Sequence, residues 1–463
     1  MDNTKINALW QNLKNDQNNG NFPVTIFNGY TKTSDHGTVI GLFNKDGKVI
    51  NELTGVGFII FDQTVFYALG GGQISDTGYL KQGTNLIPVY DLNKQIFKKV
   101  YVHLVDTGTV TIKINDVLEQ EINTTRRNNL TKNHTAQHIL SYTIEKFVND
   151  GELTDSVLIK EESFLLAMNK TDNWLDVLLQ ARDKIITTFI NHDIARIEHQ
   201  MPIAEARALH LAHPSFEYDP IVRVVEFPAA TIDLCGGTHV NNLNEISYFE
   251  IWDCWVDKKK VRMESSTNQV ATVHYFSTWA NNKIMELQQL LDRIKKIDPQ
   301  FSYQLPVLTT PTTFVEKIAL ENKIKIIEQE LTEISKEKNK LLIQKVNELE
   351  IEPIIEPISN NLNLVSFTVN DEILTLDLMR IKLNKFFQDY QNSLIYFNNP
   401  VLKYAYISFT KVNSVNFNLN QYFQANKTAL NLTGGGTPFF LNITYQDNLD
   451  HFMETLLLEI KKS

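Results

Sequence analysis

The sequence has little cysteine, no long apolar run and no excess of basic charge. Only Cys235 and Cys254 occur among its 463 residues, so a disulfide framework is excluded as the basis of the fold, and a reducing cytoplasm is expected. Residues 1–20 lack the apolar core of a secretory signal. No uninterrupted apolar stretch has the ~18 residues of a spanning helix, so we expect no membrane partner.

The net charge of -10 argues against a protein that coats nucleic acid without selectivity. It still allows a local basic path. Arg126, Arg127 and Lys132 stand shortly before the first histidine pair, and Lys258, Lys259, Lys260 and Arg262 form a second basic group.

Length and composition predict a globular protein of two or three domains. Hydrophobic residues make up 43% and charged residues 21%, which is typical of globular proteins, and 463 residues exceed one ordinary core. Short β-rich runs at 56–62 and 85–92, separated by Gly, Asp and Asn, predict a small barrel or sandwich over residues 1–112.

Residues 113–276 combine helix and strand patterns, which predicts an α+β subdomain. A helix is expected from Asn123 to Val148 with Thr125 as its N-cap, and another from Trp174 to His192. Strands are expected at 222–227, 248–256 and 259–266.

Residues 277–357 show the three-four apolar rhythm of paired helices. The first series consists of Ile284, Leu287, Leu291 and Ile294. A second helix is expected after Pro311, where Thr313 and Glu316 have the spacing of a capping box. A hairpin packed on itself and an intermolecular coiled coil both fit this linker, and the hairpin is favoured.

Residues 358–463 alternate strand and helix patterns, which predicts a C-terminal α/β domain. A helix near Leu419–Leu430 leads to Gly434–Gly436, a pattern more typical of a helix stop than of a loop that contacts nucleic acid. The predicted fold class is therefore α+β and multidomain.

Two histidine and cysteine motifs predict a metal site. His134 and His138 are four residues apart and share one face of a helix. Cys235 and His239 are separated by Gly-Gly-Thr, and glycines allow a tight turn. Three imidazoles and a thiolate suit tetrahedral Zn²⁺. Four protein ligands are typical of structural zinc, whereas catalytic zinc keeps an open position, and the spacing alone leaves both open.

A run of glycines forms another motif. Gly70, Gly71 and Gly72 precede Gln73 and Asp76. Such a run lets a backbone approach a ligand closely, although a β-hairpin loop is the simpler interpretation. The stretch has no P-loop lysine, so nucleotide phosphate binding is not indicated.

Several blocks, taken in order, resemble a known family. They begin at Phe27-Asn-Gly-Tyr30, continue through the glycine-Gln73 loop and Thr125-Arg-Arg127, and include His134-Thr-Ala-Gln-His138 and Cys235-Gly-Gly-Thr-His239. Their order and spacing resemble the editing domain of alanyl-tRNA synthetase and the free-standing alanyl-tRNA editing proteins. The helices at 277–350 and the final domain resemble the linker and C-terminal domain of the same synthetase.

This resemblance implies a role for each motif. The zinc ligands would be His134, His138, Cys235 and His239. The catalytic residues would be Gln73 and Thr64, with Thr64 reading the hydroxyl of a misacylated serine. Substrate binding is expected from Gly70, Gly71, Gly72 and Asp76. Contact with tRNA is expected from Arg126, Arg127, Lys132 and Arg262, and a homodimer is expected through the C-terminal half.

The implied reaction is hydrolysis of mischarged tRNA(Ala), with Ser-tRNA(Ala) as substrate and Gly-tRNA(Ala) as a further candidate. Only residues 1–26 precede the matching blocks, so we expect an aminoacyl-tRNA deacylase without aminoacylation activity. Three stretches depart from the family pattern. Ala68-Leu69 replaces a polar residue before the glycines, Lys160–Phe164 is more acidic, and Thr433 and Thr437 stand where basic residues are usual.

Two other interpretations remain open. One is a non-catalytic tRNA- or partner-binding relative of the synthetase with a structural zinc. The other is a helical scaffold, which leaves the metal motif unexplained.

Overall fold

The β-rich N-terminal runs form a closed barrel in the computed structural model of the chain, which describes residues 1–15, 22–148, 153–212, 217–371, 374, 376–410 and 417–462. Helix α1 (Asn3–Asn15) precedes ten strands. They are β1 (Ile26–Phe27), β2 (Ser34–Asn44), β3 (Glu52–Leu53), β4 (Val56–Phe61), β5 (Gln63–Thr64), β6 (Gly78–Gln82), β7 (Asn85–Asn93), β8 (Val102–Asp106), β9 (Ile112–Lys113) and β10 (Val117–Ile122).

Six of these strands close in the order β10-β2-β4-β8-β7-β6. Inward-facing apolar side chains fill the interior, and Phe61, Leu80 and Leu118 are fully buried there. The predicted barrel is confirmed. It extends beyond residue 112 to Ile122, because β10 pairs with both β2 and β6.

An α+β region follows the barrel. Its elements are α2 (Thr124–Val148), β11 (Thr154–Ile159), β12 (Phe164–Asn169), α3 (Trp174–Lys184), β13 (Ile197–Pro202), α4 (Ile203–Ala208), β14 (Ile221–Phe227), β15 (Thr231–Leu234), β16 (Glu250–Asp257) and β17 (Lys260–Ser266). They form a four-stranded sheet, β11-β12-β17-β16, and a three-stranded sheet, β13-β14-β15. Leu130 and Ile139 of α2 share one buried core with Phe164 and Phe227.

Two helix boundaries differ from the predictions. Asn123 caps α2 instead of Thr125, because the Asn123 side chain accepts a hydrogen bond from the N–H of Arg126 at 3.0 Å. The helix predicted to reach His192 ends earlier, since α3 is continued only by a π-helical turn, Ile185–Phe189. Ile185 and Phe189, the two end residues of that turn, are buried in the core. Tertiary packing therefore sets this boundary, and the local sequence pattern does not show it.

Two long helices, α5 (Gln269–Ile297) and α6 (Phe314–Glu348), come next. The capping box is formed only in part. The Thr313 hydroxyl accepts the N–H of Glu316 at 3.2 Å, but the Glu316 carboxylate accepts the N–H of Thr312 at 2.7 Å. Pairing of these helices as a coiled coil stays a prediction.

The C-terminal region is built on one six-stranded sheet in the order β18-β19-β20-β21-β23-β22. Its elements are β18 (Ile354–Ser359), β19 (Leu362–Thr368), α7 (Leu376–Asp389), β20 (Ser393–Asn399), β21 (Tyr404–Phe409), α8 (Leu419–Asn426), β22 (Thr433–Thr437), β23 (Phe440–Thr444) and α9 (Leu449–Lys462). The interpretation of Gly434–Gly436 as a helix stop is wrong. These glycines lie in β22 and pair with β23, and a Cβ at Gly434 would lie 2.0 Å from the Asn442 carbonyl oxygen.

Contacts divide the chain into two units. The first is Met1–Asn282 with Leu308–Asn322, and the second is Lys283–Val307 with Lys323–Ser463. The four domains drawn from the sequence stay a prediction. Across the described ranges, no helix combines the length and apolarity that crossing a membrane requires.

A buried ion pair joins α2 to the barrel in the first unit. Arg127 pairs with the Asp76 carboxylate and donates to the carbonyl oxygens of Gly29 at 2.6 Å and Val65 at 2.9 Å. Asp76 also accepts the N–H of Tyr67 at 2.7 Å. Asp76 is fully buried and Arg127 is 6% exposed. Both charges are therefore held away from water and depend on each other.

The substitution Arg127→Met would leave the Asp76 carboxylate buried without its partner. We expect the free energy of unfolding of the first unit to fall by about 3–5 kcal/mol. Urea unfolding followed by tryptophan fluorescence reports this unit selectively, because all five tryptophans lie between Trp10 and Trp279.

Lys113→Met is the matched control for this prediction. Lys113 pairs with Glu52 at 2.7 Å, but both side chains are more than half exposed, so a loss below about 1 kcal/mol is expected. Equal losses in the two variants would contradict a special role for the buried pair.

Candidate metal centre and its groove

Helix α2 carries two of the four residues that converge in the first unit. His134 and His138 lie one helical turn apart, and their stacked ring centroids are separated by 5.0 Å. They are 1% and 8% exposed. The four-residue spacing therefore brings both imidazoles to one side of the helix, as the sequence predicted.

The loop after β15 supplies Cys235 and His239. Its glycines were expected to permit a tight turn, but neither Gly236 nor Gly237 has a positive φ. Gly237 instead allows close approach, since a Cβ there would lie 2.0 Å from Cε1 of His134. The Gly237 N–H donates to the Cys235 sulfur at 3.3 Å, which favours a thiolate.

The four side chains form a group that fits a metal ion. Their ligand atoms all lie within 4.8 Å of one another, and the Cys235 sulfur is 3.4 Å from Nε2 of His134. Typical zinc–ligand bond lengths place tetrahedral ligand atoms about 3.3–3.6 Å apart. Nε2 of His239 is buried without a hydrogen-bond partner in the described part of the chain. A bound cation would satisfy this nitrogen.

Each imidazole has a polar partner at its other nitrogen. The pairs are His134 Nδ1 with Gln73 Oε1 at 2.7 Å, His138 Nδ1 with Asp233 Oδ2 at 2.8 Å, and His239 Nδ1 with Thr135 Oγ1 at 3.2 Å. These acceptors place the ring proton on Nδ1 and leave the lone pair of Nε2 for a metal ion.

Gln73 and Thr135 join the two halves of the group. The Gln73 oxygen also accepts the backbone N–H of Thr238 at 3.1 Å, in the loop between Cys235 and His239. Thr135 donates its hydroxyl proton to the carbonyl oxygen of Thr131 at 2.9 Å, so its lone pairs are free to accept from His239. The helix and the loop are thereby held in register.

The electrostatics of the group favour a ligating thiolate. Burial opposes ionisation of Cys235, but the electrostatic interactions with the neighbouring histidine rings and a hydrogen bond from His134 outweigh it and hold the pKa of the thiol well below its ordinary value. Burial lowers the pKa of His239 to about 3, so this ring is neutral. Burial also opposes a charge on His138, but the Cys235 thiolate and the Asp233 carboxylate outweigh it and raise the pKa of His138 to about 10. A metal ion bound at this position would displace the His138 proton.

An open groove of about 1040 Å³ borders the group. Its lining includes the ligands His138 and Cys235, together with Asp233 and Gly71. The Asp233 side chain is 44% exposed. A molecule in the groove can therefore contact His138, Cys235 and the Asp233 carboxylate that orients His138.

Gln73 is placed at this group, whereas Thr64 lies within the barrel. The Thr64 hydroxyl is 2.7 Å from Oε1 of Gln120 and 2.9 Å from Nε2 of His103, and it accepts the N–H of Phe66 at 3.2 Å. Thr64 is 1% exposed. Its reading of a substrate hydroxyl stays a prediction that this position does not favour.

The glycine loop and Asp76 have different surroundings, because the loop reaches the groove and Asp76 is buried. Gly70 and Gln73 bond each other across a tight turn in which Gly71 and Gly72 have φ values of 57° and 75°. This confirms the hairpin-like turn. Gly71 faces the groove, while Asp76 is enclosed by its ion pair with Arg127 and does not reach it.

The four proposed tRNA contacts differ in exposure. Arg127 is buried and its guanidinium is engaged within the fold, so we assign it to the fold. The Arg126 side chain is only 18% exposed, pairs with Glu161 at 2.9 Å and donates to the carbonyl oxygen of Ser75 at 3.0 Å. Arg262 is 39% exposed and pairs with Asp257 at 3.1 Å. Contact of Arg126, Lys132 and Arg262 with tRNA stays a prediction.

Sequence reasoning missed Asp233, Thr135 and Thr238. Thr135 directly follows His134, and Asp233 precedes Cys235 by two residues, so proximity to the motifs was the available signal. The partner of each depends on where the helix meets the loop, which no local pattern shows.

Comparisons with known proteins agree with the resemblance inferred from the motifs. Residues 2–126 match the family model described as tRNA synthetases class II (A). Residues 222–272, which include Cys235 and His239, match the model of the threonyl and alanyl tRNA synthetase second additional domain.

Curated relatives include alanine–tRNA ligases from several bacteria. The ligase of Leptospira borgpetersenii serovar Hardjo-bovis is 30% identical over 233 residues, which cover 49% of this chain and 24% of the ligase. That of Nostoc sp. is 29% identical over 293 residues, 63% of this chain and 31% of the ligase. The chain thus spans 24% and 31% of the length of these two relatives.

A solved structure of the C-Ala domain of Aquifex aeolicus alanyl-tRNA synthetase matches 24% of this chain and 99% of that domain, at 14% identity and a TM-score of 0.20. A TM-score this low carries no structural conclusion. The family models and the curated relatives confirm the resemblance to alanyl-tRNA synthetase and support a tRNA-related role.

We expect the metal-free protein to bind one Co²⁺ ion with a thiolate-to-cobalt charge-transfer band. Cys235→Ser should abolish the band, because it removes the only sulfur in the group. Cys254→Ser should retain it, since burial raises the pKa of that thiol to about 12 and it lies outside the group. A spectroscopic titration measures both, and loss of the band in the Cys254→Ser variant would refute this assignment.

Proposed function

We propose that the protein is a zinc-dependent aminoacyl-tRNA deacylase that hydrolyses mischarged tRNA(Ala). Ser-tRNA(Ala) is the principal substrate and Gly-tRNA(Ala) a second. The observation that carries this proposal is the open groove against His138 and Cys235. The match of residues 222–272 to a domain of threonyl and alanyl tRNA synthetases supports it.

His134, His138, Cys235 and His239 would hold Zn²⁺, because a thiolate and three neutral imidazoles suit this ion. When bound, the ion supplies a Lewis acid beside the ester carbonyl. Gln73 and Asp233 contribute by fixing the ring orientation of His134 and His138 through their Nδ1 atoms.

Asp233 has a second role in the proposed reaction. Its carboxylate accepts the Nδ1 proton of His138 at 2.8 Å, yet the side chain is 44% exposed and lines the groove. It is therefore placed to accept a proton from water that adds to the ester carbonyl. The bond to the ribose oxygen of the terminal adenosine then breaks, the ribose oxygen takes up a proton, and the products are the free amino acid and tRNA.

The proposed partner is tRNA(Ala) in the cytoplasm, where Cys235 stays reduced. Arg126, Lys132 and Arg262 are the proposed contacts for its backbone, as cations bind phosphates without reading sequence. A homodimer through the C-terminal half is a further part of the proposal.

A second candidate function follows from the completeness of the ligand set. Four buried protein ligands are typical of structural zinc. The protein would then bind tRNA or a protein partner without hydrolysing the ester.

Deacylation of Ser-tRNA(Ala) and Ala-tRNA(Ala) by zinc-loaded protein separates the two candidates. We expect rapid loss of the seryl ester, sparing of the alanyl ester and no activity in His138→Ala. Asp233→Asn should lower the rate by about 100-fold or more, because it removes the proposed proton acceptor and disturbs the orientation of His138. Asp172→Asn, at an exposed position, is the control and should leave the rate unchanged. Folded, zinc-loaded protein that leaves both esters intact would establish the non-catalytic alternative.

A further inference from the structure

A lysine without a charge partner lies beside the glycine turn. Nζ of Lys94 is 5.0 Å from the ring centroid of Tyr67 and 5.5 Å from that of Tyr101. A Cβ at Gly70 would lie 2.8 Å from Cε and 3.0 Å from Nζ of this lysine. Within the described ranges, the ammonium of Lys94 makes no hydrogen bond and no ion pair.

This environment is unfavourable for a cation that lacks a partner. Burial lowers the pKa of Lys94, and the tyrosine faces compensate only in part. The glycine turn is held against the Tyr67 ring that Lys94 covers, because the Tyr67 hydroxyl donates to the Gly70 carbonyl oxygen at 2.8 Å. An anion bound at Nζ would give the ammonium both a charge partner and a hydrogen-bond acceptor.

The glycine turn offers further donors at the same place. Gly71 and Gly72 both have a positive φ, and in the part of the chain that is described neither N–H donates a hydrogen bond. Backbone amides exposed by such a turn, together with a lysine, form an anion-binding concavity.

An aromatic wall connects this place with the metal group. Phe27 stacks on Tyr101 at 5.5 Å and meets Tyr67 and Tyr30 edge-on at 5.9 Å and 4.8 Å. The Tyr30 hydroxyl donates to the carbonyl oxygen of Gly236 at 2.8 Å, next to the ligand Cys235. Tyr67 and Tyr101 are only 1% and 8% exposed, so these rings do not contact a ligand themselves but join the region of Lys94 to the metal group through packed contacts.

The groove also begins at this turn, since Gly71 lines it together with Cys235 and His138. A substrate with a phosphate at one end and an ester at the other matches the order of Lys94 with the glycine turn and then the metal group. Phosphates bind lysine and backbone amides.

We propose that Lys94 and the Gly70–Gly72 turn bind the phosphodiester that precedes the terminal adenosine of the aminoacyl-tRNA, and so position its ester at the metal group. This proposal rests on the proposed function for the identity of the ester substrate. Lys94 is a positioning residue, since it acts on the phosphate and not on the reacting bond.

Binding of a stable substrate analogue tests the proposal independently of hydrolysis. The probe is an acceptor-stem minihelix whose terminal adenosine carries serine through an amide. We expect Lys94→Met to weaken binding about 10-fold and to reduce the slope of log affinity against log salt by about one. Lys98 lies in the same segment after β7 as Lys94 but is exposed, so Lys98→Met should change neither the affinity nor the salt dependence. An unchanged Co²⁺ spectrum in Lys94→Met verifies that the metal group is intact.

A second probe identifies the phosphate involved. In this minihelix an uncharged methylphosphonate replaces the linkage before the terminal adenosine. Wild-type protein should bind it about 10-fold more weakly, whereas Lys94→Met should lose little further affinity, because both changes remove the same contact. The proposal would be overturned if the losses of affinity from Lys94→Met and from the methylphosphonate multiplied, as independent contacts do. It would also be overturned if Lys94→Met changed only the affinity for inorganic phosphate, added as a competitor.

Failure of the two proposals is distinguishable. Wild-type protein that binds the minihelix through Lys94 but hydrolyses no ester would refute the deacylase and keep the phosphate site. Wild-type protein that hydrolyses Ser-tRNA(Ala) with the same KM and kcat as Lys94→Met would refute the phosphate site and keep the deacylase.

Discussion

The contact of helix α2 with the loop between Gln73 and Asp76 determines where the metal group can form. Arg127, Thr131 and His134 occupy positions i, i+4 and i+7 of the helix and so face one side. Arg127 pairs with Asp76, and His134 contacts Gln73 three residues earlier in the same loop. The buried ion pair thus sets the register of the helix on the loop, and the position of His134 follows from that register.

The same register also positions the loop that carries Cys235 and His239. Thr131 contacts Thr238 at 2.9 Å, and Gln73 accepts the N–H of Thr238 at 3.1 Å, so the loop that carries Cys235 and His239 is attached to both helix and barrel. The group is closed on these sides by hydrogen-bonded protein. On the side of Asp233 and His138 it borders the groove, so a ligand can approach the group from that side.

The proposed substrate contacts lie on two different parts of the first unit. Lys94 and the aromatic wall lie in loops and a short strand next to the barrel, and His138 belongs to α2, so a bound acceptor end would span the junction that the ion pair stabilises.

The sequence by itself determined those features that depend on short-range geometry. Four-residue spacing in a helix places His134 and His138 together wherever the helix lies, and alternating β-rich runs between turn residues predict the barrel strands. Tertiary structure alone decided which polar residues near these motifs face the groove. Thr64 and Asp76 face inward because barrel closure and the pairing with Arg127 enclose them, whereas Asp233 reaches His138 because β15 ends beside α2. Gly434–Gly436 became a strand because β23 supplies hydrogen-bond partners that a local pattern cannot contain. In each case the physical reason is the same, since side-chain direction and backbone pairing depend on contacts between residues far apart in the chain.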